Sequence, residues 1–77
     1  MKLPPKGSFM VVVESFNESI LVDLKITLRK ISDGLIFNVV ILPENKYRLT
    51  IDISSNVDEY SRMLVQGVLR KSKLEII

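Results

Sequence analysis

An α+β fold of order β-α-β-β-α, with two helices on one face of a three-stranded antiparallel sheet in a KH-like arrangement, is what this 77-residue sequence predicts. Three observations lead there. Residues 47–54 alternate large apolar and polar side chains without a break, the period of a strand with one buried face. That strand runs with no linker into a capped, amphipathic helix. Before it, an apolar run at 35–42 is joined to it by Pro43, Glu44, Asn45 and Lys46, a sequence suited to a hairpin turn.

In chain order, residues 1–8 contain two prolines, a glycine and two lysines, which cannot pair inside a sheet and predict a flexible or extended arm. The single folded domain is then 9–77. Residues 9–13 are β-branched and apolar on both faces and form the first strand. The segment 15–31 reads two ways. As a helix it has Ser15 and Glu18 spaced as a capping box, gathers Ile20, Leu21, Leu24, Leu28 and Ile31 on one face, and stops at Gly34. As a strand, Val22, Leu24, Ile26 and Leu28 alternate with polar residues, and Asp33 and Gly34 make a hairpin turn. Length and cap signals favour the helix, on which Val22 and Ile26 fall outside the core face.

The final helix is expected to start near Val57, with Asn56 as its cap and Glu59 completing a capping box. On a helical wheel Val57, Tyr60, Leu64, Gly67, Val68 and Leu74 form a core stripe, with Arg62, Gln66, Arg70 and Lys73 opposite. Val65, Leu69 and Ile76 project on a second line, read as a partner-facing stripe. On the sheet, Met10, Val12, Ile36 and Val40 crowd the side away from the helices and form the expected dimer face, for another copy or a paralogue.

Composition narrows the chemistry. A hydrophobic fraction of 47% is high for a chain this short, which at this size hides only about 60–65% of its unfolded surface, so an apolar interface is expected. No histidine, cysteine or tryptophan is present, which removes the commonest general base, the thiol nucleophile, disulfide staples and the usual transition-metal ligands. The acidic side chains fall on turns, caps and solvent faces. The expectation is a protein that is not an enzyme and uses no cofactor. Net charge is only +2 with the signs interspersed, so no nucleic-acid-scale basic block exists; Arg70, Lys71 and Lys73 complement the helix terminus and are the candidate RNA contacts. The first residues lack a secretion-signal core, and no run approaches the roughly 18 apolar residues of a membrane span, so the expected location is cytoplasmic and no membrane contact is expected.

The stretch Leu49-Thr50-Ile51-Asp52-Ile53, followed by Tyr60 to Val65 and on through Leu69 to Leu74, resembles the Pcc family, the small dimerising subunits of the KEOPS complex that makes threonylcarbamoyladenosine in transfer RNA. In that family a strand leads into a final helix with an arginine, a leucine about seven residues on and another leucine near its end. Here Arg62, Leu69 and Leu74 occupy those places. Gly67 and Ser32-Asp33-Gly34 depart from the family's asparagine and its proline-containing end of helix one. The resemblance spans about residues 9–77 and implies a β-α-β-β-α scaffold that dimerises through its sheets and presents both helices to the transferase subunit, a use that Val22, Ile26, Arg62, Val65 and Leu69 fit, with Arg70, Lys71 and Lys73 as the candidate tRNA contacts. A second, weaker likeness, of residues 16–25 and 53–60, is to single-stranded-DNA-binding coactivators of the positive-cofactor-four type. It requires a β-β-β-β-α order and an aromatic, basic strand surface. An unrelated homodimeric interaction domain accounts for the composition equally.

Overall fold

The computed structural model describes residues 2–72 and 74–76 and has the expected order: β1 (Phe9–Ser15), α1 (Glu18–Arg29), β2 (Leu35–Leu42), β3 (Lys46–Ile53) and α2 (Glu59–Ser72), with a two-residue β4 (Glu75–Ile76) added at the end. All pairs are antiparallel and the strand order is β2-β3-β1-β4. The alternating strand β3 therefore lies inside the sheet, flanked by the two strands that read as apolar on both faces.

Register explains the layering. Phe9, Ile53 and Leu35 share one row, as do Val11, Ile51 and Phe37, and Val13, Leu49 and Val39. Val11, Val13, Leu35, Leu49, Ile51 and Ile53 are buried beneath Leu21, Leu24 and Leu28 of α1 and Val65 and Leu69 of α2. Each such side chain contributes about 1.5–3 kcal/mol when fully buried. Phe37 and Tyr47 pack against this core, whereas Phe9, in the same phase at the start of β1, is exposed.

The segment 15–31 resolves as the helix. Its cap is Asn17 and not Ser15: the Asn17 Oδ1 accepts from the Ser19 backbone N–H at 3.0 Å, while the Ser15 hydroxyl, still at the end of β1, accepts from the Asn17 N–H at 3.0 Å. Ile20 stands exposed at the margin of the predicted core face. Gly34 has a different role from the helix stop assigned to it. A Cβ there would lie 2.6 Å from the Val57 Cγ2, so the residue is glycine because the loop ahead of α2 crosses directly over it. The hairpin turn places Glu44 and Asn45 in the left-handed region, at φ of 65° and 60°.

Two expectations about α2 are corrected. The helix starts at Glu59, capped by Asp58, whose Oδ1 accepts from the Ser61 N–H at 2.7 Å; Asn56 and Val57 belong to the preceding turn. The roll of the helix is also different. Arg62, Val65 and Leu69 face the sheet and are buried, whereas Tyr60 and Leu64 face outward. Val57 is buried but lies ahead of the helix, and including it drew the predicted core side toward Tyr60 and Leu64, while treating arginine as a solvent residue kept Arg62 off it. Ile76, grouped with Val65 and Leu69, also packs on the core, beside Val13 in β4.

The N-terminal segment, expected as a flexible or extended arm, is docked through Leu3, a core residue whose N–H donates to the Gln66 Oε1 at 2.7 Å. The buried Arg62 guanidinium completes the attachment, donating to the carbonyls of Pro4 (3.0 Å), Gly7 (2.6 Å) and Ser54 (3.0 Å), while its Nε donates to the Val57 carbonyl (2.9 Å). Gly7 supports this with a φ of 83°, which other L-residues adopt only at a cost.

Candidate protein-interaction site

The predicted partner stripe divides in two. On α1, Val22 and Ile26 are exposed, as the wheel required. On α2, Arg62, Val65 and Leu69 are not surface residues: they hold the helix to the sheet and to the N-terminal arm, so no partner reaches them in the folded chain. Arg62, Val65 and Leu69 therefore account for the packing of this helix.

In their place, α2 presents Tyr60 and Met63, 70% and 65% exposed, with Leu64 beside them. These three sit at i, i+3 and i+4, one continuous face of a helix. One turn on is Gly67, where an added Cβ would meet no atom within 4 Å. The outcome is an apolar ridge followed by a bare strip of backbone. The spacing of Tyr60 and Leu64 assigns both to the core, and Met63 belongs to neither predicted stripe. Arg70 and Lys71 are exposed in the last turn, while Lys73 lies outside the described residues.

The sheet face away from the helices carries the four residues assigned to it. Met10, Ile36 and Val40 are exposed and Val12 is half-buried. Register shows what the sequence did not: a polar stripe from β3 divides them. Asp52 lies between Met10 and Ile36, Thr50 between Val12 and Asn38, and Arg48 between Glu14 and Val40. Glu14 is almost fully covered, with its Oε2 accepting from the Arg48 Nε at 2.8 Å and its Oε1 3.1 Å from the Lys46 Nζ. The Arg48 guanidinium and then the Lys46 ammonium hold the Glu14 carboxyl below the usual carboxylate range. The Lys46 ammonium also lies 5.3 Å from the centre of the exposed Phe16 ring.

Among the described residues no three His, Cys, Asp or Glu side chains gather as a metal site, and no helix is long and apolar enough to cross a membrane. The helical α1 does not fit the β-β-β-β-α order of the single-stranded-DNA-binding coactivators. No family model, curated protein or solved structure matches the chain.

Proposed function

We propose that this protein is a non-catalytic adaptor that binds another protein through the outward faces of its two helices, in the way the Pcc resemblance implies for the transferase subunit of KEOPS in tRNA threonylcarbamoyladenosine formation. The observation that carries the reading is the ridge of Tyr60, Met63 and Leu64 on α2, with Val22 and Ile26 exposed on α1. Tyrosine and methionine are enriched in binding patches, and large apolar side chains aligned on a helix face fit a groove or a facing helix. The residues differ from those the family motif marks, but the element used is the same.

The test is calorimetric titration of the full chain into the purified transferase subunit. Tyr60→Glu with Met63→Glu should lower affinity by about a hundredfold or more, with an unchanged circular dichroism spectrum because both positions are exposed. Val65→Glu should instead unfold the chain, since it places a charge in the core. Equal binding by the double variant, or none by the wild type, would remove the proposal.

A further inference from the structure

Arg62 is closed to a protein partner, yet it forms one wall of a hollow of about 390 Å³ between the N-terminal segment and α2. The helix side is Glu59, Arg62, Met63 and Gln66, which share a face at i, i+3, i+4 and i+7. The arm side is Lys2, Leu3 and Pro5. Such a volume lies in the range of small-molecule sites, about 300–1,000 Å³.

The fold leaves the polar groups around this hollow incomplete. A guanidinium has five N–H groups, and four of those on Arg62 reach backbone carbonyls. The second N–H of Nη1 has no acceptor among the described residues, and Nη1 is the nitrogen held by Pro4, next to Pro5 in the wall. No carboxylate among the described residues offsets this cation, although the side chain is only 2% exposed, and a charge so buried is ordinarily paired. Gln66 uses its Oε1 on the Leu3 N–H and keeps its Nε2 as a donor with no partner among the described residues. Lys2 and Glu59, both exposed, border the same hollow with opposite charges, and neither forms an ion pair among the described residues.

These groups are ordered along the helix. The Leu3 bond holds Lys2 near Gln66, so donors run from Arg62 toward that end, while the Glu59 carboxylate stands at the helix start. Arg62 is one turn from Glu59, about 4.5 Å along the axis, so one small molecule reaches both. We infer that the hollow is a site for a small zwitterion with an apolar body, the chemistry of a free aliphatic amino acid. Its carboxylate meets the spare Arg62 N–H, the Gln66 amide and the Lys2 ammonium, its ammonium meets Glu59, and its side chain packs on Leu3, Pro5 and Met63. A plain carboxylate would leave Glu59 opposed to it, and a plain amine would leave Arg62 without its anion. Only Met63 is shared with the apolar ridge; Tyr60 and Leu64 take no part in the hollow. The inference stands independently of the transferase reading, because its test needs no protein partner.

Amide NMR shifts of the full chain titrated with leucine are the test, alongside isocaproate and isoamylamine, which each lack one of its two charges. Leucine should give saturable shifts at Leu3, Met63 and Gln66 and bind about tenfold or more tighter than either probe. Glu59→Gln and Lys2→Gln change exposed residues, so the fold should persist in both. Glu59→Gln should reduce leucine to the affinity of isocaproate, while Lys2→Gln should weaken leucine and isocaproate and spare the amine. Leucine without saturable shifts at these amides would overturn the inference. So would equal binding of the three probes, or leucine binding that Glu59→Gln leaves unchanged.

Discussion

Two glycines in this chain should respond to the same substitution with opposite signs. At Gly34 a methyl group would lie 2.6 Å from the Val57 side chain, and the Asn56 Oδ1 is only 3.1 Å away, so Gly34→Ala forces the turn before α2 outward. The expected loss is about 1–3 kcal/mol of stability in a urea titration. Gly67 is helical and open, with nothing within 4 Å of an added Cβ, so Gly67→Ala should add about 0.5–1 kcal/mol. If the proposed adaptor function holds, a stabilised chain that binds the transferase subunit more weakly would place part of that contact at the bare strip around Gly67. Conversely, Gly34→Ala without a stability loss would mean that the Val57 turn yields freely.

At the scale of elements, strands were easier to read than helix faces. Period two leaves little freedom: once residues 47–54 alternate, a one-residue shift would turn Leu49, Ile51 and Ile53 outward, so the buried set follows directly. A helix can be rolled. Tyr60, Leu64 and Val68 make as regular a stripe as Val65 and Leu69 do, and only the turn at 54–58 decides between them. That turn closes through the Val57 N–H to the Ser54 carbonyl and is followed by the Asp58 cap. The buried Arg62 could not be found by polarity, because its acceptors are four backbone carbonyls that no side-chain pattern reveals. The acid response belongs at this scale as well. The Ser61 N–H and hydroxyl hold the Asp58 carboxyl below its ordinary range, and Arg48 and Lys46 do the same for Glu14. With folded values below unfolded ones, the unfolded chain binds more protons in acid, so this stability is complete above the ordinary carboxyl range and lost as pH falls through the folded values. Melting temperature should therefore hold from neutrality to about pH 5 and decline below about pH 4. Glu14→Gln should start lower at pH 7 and fall less steeply. Parallel acid limbs in the two proteins would show that Glu14 is not a source of the decline.

For the molecule as a whole, the arm decides whether 77 residues suffice. A domain this small has a net stability of about 4–12 kcal/mol, and its N-terminal segment closes one end of the core through Leu3 while supplying two of the four carbonyls on Arg62. Removing residues 1–7 exposes Leu3's site, worth about 1.5–3 kcal/mol of burial, and leaves a buried guanidinium short of acceptors. The truncated chain should lose about 3–5 kcal/mol, a large share of that stability, seen as a lower urea midpoint. Arg62→Met, which fills the space without the donors, separates the two contributions. It should release the Leu3 amide to fast exchange and lower stability less in the truncated chain than in the full one, because Pro4 and Gly7 are then already absent. If the two changes simply add, arm and arginine act independently, and the arm is held by Leu3 and Gln66 alone. A loss confined to amides of residues 3–7, with the sheet unaffected, would make the arm an appendage of a core that stands without it.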